Sequence, residues 1–324
     1  MIVVTGGAGF IGSAIVHALN KRGMSEILIV DDVDHPEQEK NLAALKYADL
    51  KGKDAFLATI LSGSLKPKVN AIIHMGACSS TTETNQEFLR TNNFEYTRHL
   101  AEFSLAQGIR FIYASSAATY GDGAHGYQDD ESQLTPLRPL NLYGDSKQKF
   151  DLWARDTGAF DKIVGLKYFN VYGPNEYHKG DMQSLVRKGY YQIQETGKMR
   201  LFKSYKPEYE DGGQERDFIY IADAVAMTLF FLDHPKIGGL FNVGSGKARN
   251  WNALAHALFS PMDKQPNIEY IEMPTSIRDQ YQYHTQAEMG KIRKAGYNVP
   301  GTSLEDGIKD YVQNFLIPGK RLGE

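Results

Sequence analysis

The chain opens on an apolar run, Ile2-Val3-Val4-Thr5, that passes directly into Gly6-Gly7-Ala8-Gly9-Phe10-Ile11-Gly12 and then into residues of helical period. Glycines at 6, 9 and 12 let the chain turn tightly at a strand end. They also let a diphosphate approach the backbone and let the following helix pack close to the strand, while the helix N-terminus supplies amide donors and the positive end of its dipole. A glycine-rich turn alone can be no more than a turn. Placed after a strand, before a helix and at the start of the chain, it reads as a nucleotide site, with Gly6, Gly9, Phe10, Ile11 and Gly12 as cofactor-binding candidates.

The pattern then repeats. Ile27–Val30, Val69–His74, Arg110–Ala114 and Lys162–Leu166 are short β-branched or apolar runs, and Phe10–Lys21, Asn85–Gln107 and Tyr143–Asp156 between them have helical period. Such strand-helix-strand units predict an α/β fold, a Rossmann-type doubly wound parallel sheet. After Asn170 the composition shifts to Gly, Pro, Tyr and charge, and strand-like runs resume at Asp217–Ile221 and Leu240–Val243. A chain of 324 residues exceeds what one core usually organises. The expectation is a dinucleotide-binding domain of residues 1–170 plus about 218–243, and a smaller, interleaved C-terminal substrate domain of 171–217 plus about 244–324.

Charge and composition narrow the function classes. A net charge of -3 gives no basic face for nucleic acid, and no apolar run is long enough to span a bilayer. Met1 leads straight into the first strand without a charged flank or cleavage site, so a cytoplasmic protein is expected. The single cysteine excludes an internal disulfide, and no histidines stand at helical ligand spacing, so no metal is expected.

Asp31, after the second strand, is placed to accept from adenosine ribose hydroxyls, and with Asp32 beside it argues on its own for NAD, because a carboxylate would repel a 2′-phosphate. Gly76, Ala77, Cys78, Ser79 and Ser80 lie where further cofactor contacts are expected, the Cys78 thiol itself reading as a small filler. Tyr143 and Lys147 stand one helical turn apart and project from one face. An ordinary phenol titrates near pH ~10, but an adjacent ammonium and an oxidised nicotinamide both favour the phenolate. Ser116, just past a strand end, can hydrogen-bond the substrate oxygen being oxidised.

Taken together, Thr5-Gly6-Gly7-x-Gly9-Phe10-Ile11-Gly12, Ser115-Ser116, Tyr143-x-x-x-Lys147, Asn170-x-Tyr172-Gly173-Pro174 and Arg216-Asp217-Phe218-x-Tyr220 resemble the extended short-chain dehydrogenase/reductase superfamily, which modifies nucleotide sugars. Gly76–Thr82, Tyr113–Gly121, His178-Lys179-Gly180 and Thr285-Gln286-Ala287 narrow the likeness to the ADP-L-glycero-D-manno-heptose 6-epimerase family, over nearly the whole chain. The resemblance implies epimerisation at C6″ of ADP-heptose through a keto intermediate on bound NADP, a lipopolysaccharide core precursor as product, and a homo-oligomer, often a pentamer. For the 2′-phosphate it implies a lysine where Gln38 stands, with Lys40 and Lys53 as compensating candidates; Asn93, Val171 and Lys179 join the cofactor set. It also implies substrate contacts at Asn170, Arg216 and Tyr281 and along Phe202-Lys203-Ser204-Tyr205, with Asp181 and Lys188 replacing a serine and a histidine. Lys206–Gln214 is longer than the family's usual segment, a departure from the resemblance where base specificity would be set.

Neighbouring chemistries can be weighed against that likeness. Dehydratases of the superfamily carry an Asp-Glu pair just after the serine, where this chain has Ala117-Ala118-Thr119. A 4-epimerase whose keto-sugar swings between faces needs only one tyrosine. Epimerisation at a side-chain carbon presents the alkoxide on two sides, so a second proton carrier opposite Tyr143 is expected, and Lys179 takes that role. Without the resemblance, Lys179 reads as a surface lysine. Another nucleotide-sugar 4-epimerase or reductase remains the alternative enzyme, and a non-catalytic cofactor-sensing regulator the alternative of a different class.

Overall fold

The computed structural model describes residues 1–65, 68–278 and 281–324. In chain order the strands are β1 (Ile2–Thr5), β2 (Ile27–Val30), β3 (Asp49–Lys51), β4 (Ala71–His74), β5 (Arg110–Ser116), β6 (Val164–Tyr168), β7 (Asn170–Tyr172), β8 (Met199–Phe202), β9 (Glu215–Tyr220), β10 (Gly239–Val243), β11 (Ala248–Asn250) and β12 (Ile268–Ile271). The helices are α1 (Phe10–Lys21), α2 (Pro36–Leu42), α3 (Lys53–Leu61), α4 (Gln86–Leu89), α5 (Tyr96–Gln107) and α6 (Leu142–Asp156), then α7 (Leu185–Thr196), α8 (Ile221–Asp233), α9 (Trp251–Phe259), α10 (Thr275–Arg278), α11 (Gly290–Lys294) and α12 (Leu304–Asp310).

Seven strands pair in parallel in the order β10-β6-β5-β4-β1-β2-β3. Every residue of β1, β2 and β4 is buried, which is why these strands read as continuous apolar runs: helices cover both faces. Ile2, Val4, Ile27 and Ile29 join Ile15 and Leu19 of α1 in one core, while Val3, Leu28 and Val30 join Phe56 and Leu100 in the other. The strand order reverses between β1 and β4, which opens a crevice beyond their carboxyl ends. There the two loops nearly touch. A Cβ on Gly6, whose φ is 63°, would lie 2.7 Å from the Gly76 nitrogen, so only glycine fits.

Three local features depart from expectation. The segment expected as a single helix over 85–107 is α4 and α5 joined by a π-helical turn, Arg90–Glu95, which buries Asn93. β9, expected in the large sheet, pairs instead with β7 and β11 in a three-stranded sheet, because the chain turns at Phe169, whose carbonyl accepts from the Val171 nitrogen at 2.9 Å. The return to the large sheet is made by α8 and β10. β3, short and half-exposed, is an edge strand that the sequence pattern did not signal. Among the described residues no helix is long and apolar enough to cross a membrane.

Candidate active site

A cleft of about 1090 Å³ lies at the carboxyl ends of β1, β4 and β5 and is closed on its far side by β7, α7 and the β8–β12 pair. Gly6, Gly9, Phe10, Ile11 and Gly12 line it at the start of α1, and residues 75–81 follow from the β4 end. Gly9 caps α1 without a side-chain hydrogen bond, and no acidic residue sits in the first turn. The first-turn amides and positive dipole end therefore face the cleft without a capping side chain, which suits a diphosphate. The glycines make this possible: a Cβ on Gly12 would lie 2.0 Å from the Gly6 carbonyl oxygen.

Asp31 lines the same end, and its Oδ2 accepts from the Ala8 amide at 2.9 Å. Burial pushes its carboxyl up to about 6, against the backbone hydrogen bonds it receives. Asp32 faces α3 instead: its Oδ1 accepts from the Lys53 amide at 3.1 Å and its Oδ2 lies 3.6 Å from Lys53 Nζ. Lys53 also donates to Asn92 at 3.0 Å. Lys40 lies off the cleft with its ammonium on Glu37 at 2.6 Å, whereas Gln38 lines the cleft. Asn93 holds the wall in place, exchanging two 2.9 Å hydrogen bonds with the Cys78 backbone and donating to Ser146 Oγ at 3.0 Å.

The chemical end is built on β5 and α6. Asn141 caps α6 by accepting from the Gly144 amide at 2.8 Å, and the helix presents Tyr143 and Lys147 to the cleft. Lys147 donates to the Ala114 carbonyl at 2.8 Å, and burial brings its ammonium down to about 8. Ser116 Oγ accepts from the Ala118 amide at 3.1 Å, which leaves its proton to be donated into the site. Tyr143 stands above its ordinary value because burial outweighs the Ser116 hydroxyl that stabilises the phenolate. The adjacent ammonium expected to lower it is turned toward Ala114. A bound nicotinamide would bring positive charge that favours the phenolate.

Behind these groups lies a polar network that sequence reasoning missed. Asp151, on the face of α6 that carries Lys147, accepts from the Tyr113 hydroxyl and from Ser115 Oγ, both at 2.7 Å, and faces Lys167 Nζ at 3.3 Å. Both charged side chains are fully buried. The one-turn spacing from Lys147 was the available signal. Asp151 fixes the strand end that presents Ser115 and Ser116, and its charge partly offsets the effect of burial on Lys147.

Lys179 also lines the cleft, its Nζ 5.5 Å from the centre of the Phe10 ring; burial lowers its pKa, and Glu176 opposes the fall. Beside it His178, to which the sequence assigns no role of its own, lines the cleft near Gly9 as a neutral imidazole, held down to about 4 chiefly by burial. Asn170, Val171, Lys188, Phe202 and Tyr281 line the far side. Tyr281 accepts from the Trp251 indole at 3.0 Å, and Arg216, buried just behind, stacks 5.1 Å over the Tyr281 ring. Asp181 is exposed and offers its carbonyl to Lys188 at 2.6 Å. Lys203 pairs with Glu272 at 2.8 Å, Ser204 takes Asp211 at its amide, and Tyr205 stacks against Arg278, so these three sit outside the cleft wall.

A doubly wound sheet with a glycine turn on α1, a serine at the end of β5 and a Tyr-x-x-x-Lys on α6 defines an extended short-chain dehydrogenase/reductase. The model of the NAD dependent epimerase/dehydratase family matches residues 2–244. Over 316 residues, 98% of both chains, the sequence is 53% identical to the ADP-L-glycero-D-manno-heptose-6-epimerase of Nitratidesulfovibrio vulgaris strain Hildenborough, and over 325 residues, again 98% of both, 46% identical to that of Fusobacterium nucleatum subsp. nucleatum. The crystal structure of the Helicobacter pylori ADP-L-glycero-D-manno-heptose-6-epimerase is similar with a TM-score of 0.81 at 28% identity, covering 97% of this chain and 95% of that one. The chain belongs to the NAD dependent epimerase/dehydratase family and, within it, to the ADP-L-glycero-D-manno-heptose-6-epimerases.

Proposed function

We propose that this chain is an isomerase that epimerises C6″ of ADP-D-glycero-β-D-manno-heptose to the L-glycero form through a transient ketone, supplying a lipopolysaccharide core precursor in the cytoplasm. The observation that carries the reading is that two titratable side chains on different elements line one cleft, Tyr143 on α6 and Lys179 in the loop after β7. When bound, the dinucleotide supplies the acceptor and donor for the hydride exchanged at C6″. Tyr143 takes the hydroxyl proton while Ser116 donates to the same oxygen, and Lys147 holds the phenolate electrostatically. After the sugar side chain turns, Lys179 serves the oxygen from the Phe10 side. Asn170 and Tyr281 hold the sugar and the diphosphate, with Arg216 supporting Tyr281 from behind and Phe202 at the nucleotide. Residues 1–170 with about 218–243 act as the dinucleotide unit and the remainder as the substrate unit.

Incubation with ADP-D-glycero-β-D-manno-heptose followed by separation of the two epimers tests the assignment. Unchanged substrate would favour a cofactor-sensing regulator, and a dehydrated or 4-epimerised product would favour a neighbouring enzyme class.

The cofactor is a nicotinamide dinucleotide. The finer assignment is NADP, with Lys53 released from Asp32 to meet the 2′-phosphate. NAD is the second reading, favoured by the cleft-facing Asp31 and by the commitment of Lys40 to Glu37. A homo-oligomer, a pentamer by family likeness, completes the proposal; sedimentation of the purified protein decides it.

A further inference from the structure

Asn175 is fully buried, lies outside the cleft and has a left-handed backbone with φ 76°. Such a conformation is uncommon away from glycine, although asparagine tolerates it better than most residues. Its polar atoms are directed at three separate parts of the fold. Nδ2 donates to Ser13 Oγ on α1 at 3.0 Å, and Ser13 in turn donates to the Phe10 carbonyl at 3.2 Å. The Asn175 carbonyl accepts from Asn41 Nδ2 on α2 at 3.0 Å, and the same amide donates to the Ala8 carbonyl in the glycine turn at 3.1 Å. Oδ1 accepts from the Leu322 amide at 3.1 Å.

The chain then turns at once toward Lys179, whose amide donates to the Glu176 carbonyl at 3.1 Å. The buried Glu176 carboxylate binds Ser184, the N-cap of α7, accepting from its hydroxyl at 2.6 Å. Lys179 thus hangs between two anchors, one on the dinucleotide turn and one on the substrate-side helix. Its ammonium rests on the ring of Phe10, the residue whose carbonyl ends the Asn175–Ser13 chain.

We propose that Asn175 is a positioning residue whose side-chain amide fastens the Lys179 loop to helix α1, so that the second proton carrier and the cofactor turn keep a fixed separation. This rests on the assignment of Lys179 as a proton carrier. A purely conformational role predicts something different: glycine adopts φ > 0 freely and would replace asparagine at no loss. The amide bond to Ser13 is needed only if placement matters. A displacement of about 1 Å at a reacting group can lower a rate by about 10²-fold.

The test compares N175G, which keeps the backbone conformation and removes the amide with its bonds to Ser13 and Leu322, with S13A, which leaves the Leu322 contact and removes the Ser13 hydroxyl in a helix where alanine is favourable. Both are assayed for epimerisation, for dismutation of a 6-aldehyde analogue that needs only the Tyr143 side, and for thermal unfolding. N175G is expected to lower kcat for epimerisation about tenfold or more, with KM within about twofold and dismutation unchanged. S13A should shift kcat in the same direction by a smaller factor. Wild-type epimerisation by N175G and S13A, with K179M inactive, overturns the proposal. Equal losses of epimerisation and dismutation also overturn it, because they report general damage. If N175G does not fold, wild-type kcat in S13A overturns it. Near-wild-type epimerisation by K179M would instead remove Lys179 from the reaction, and the proposal would fall with that reading.

Discussion

Asp31 sets a function against stability, and the magnitude follows from its surroundings. Unfolded, its carboxyl titrates near 3.8; in the folded protein burial lifts it to about 6. At pH 8 the group is ionised in both states, so the folded protein carries a penalty of the order of 3 kcal/mol for holding that charge out of water. The sign is the reverse of a salt-bridged carboxylate: the contribution is absent below pH ~4, and stability is lost as pH rises through the folded value. Asp31→Asn keeps an oxygen for the Ala8 amide and removes the charge. In cofactor-stripped protein it should raise unfolding free energy at pH 8, and its advantage over wild type should shrink by roughly 1 kcal/mol at pH 5. Urea denaturation at the two pH values measures this. The same variant should bind NAD more weakly, because its one acceptor oxygen must serve the Ala8 amide as well as the two ribose hydroxyls. For the wild type, NAD affinity should fall as pH drops below about 6. A stability difference that does not change between pH 5 and 8 would refute the argument.

Other outcomes follow from the same site. Tyr143→Phe and Lys179→Met should each lower epimerisation by about 10²-fold or more in product-resolved assays, with ADP affinity little changed in a competition titration. Lys147→Met should be inactive and should weaken cofactor binding, and its residual pH profile should move to higher pH as the tyrosine loses a nearby cation; an unshifted profile would count against that role. Nucleotide released on denaturation should be NADP, and recovery of NAD alone would favour the Asp31 reading. Asp151→Ala should destabilise the fold by about 3–5 kcal/mol, since it strands the buried Lys167 ammonium; a denaturation midpoint within error of wild type would contradict the pairing.

Much of this is legible in the sequence, and the reasons are physical. Parallel strands buried on both faces must be apolar throughout, so β1, β2 and β4 declared themselves, and α1 and α6 followed from their period. Tyr143, Lys147 and Ser116 were readable because their spacing reflects one helix turn and one strand end. Long-range pairing was not. Whether β9 joins the large sheet depends on where the chain turns after β6, and Phe169 carries no local signal of that turn. Nor could periodicity show that Lys40 would be taken by Glu37 within its own helix, or that Asn93 would be turned inward by a π-helical turn. Asp151 and Lys167 escaped because each belongs to an element that looked complete without it, and their meaning appears only once β6 lies against β5.

That buried pair also bears on how such a sequence can diverge. A chain of this kind holds a margin of about 5–15 kcal/mol, so a step that loses one member of the pair would consume a large share of it. Positions 151 and 167 are therefore expected to change together or not at all, whereas exposed pairs such as Arg22–Asp233 are free to drift singly. Substrate preference can then wander along the outer loops over generations while Ser115 and Ser116 keep their footing, which makes the apparatus for exchanging protons at a carbinol more heritable than the choice of sugar.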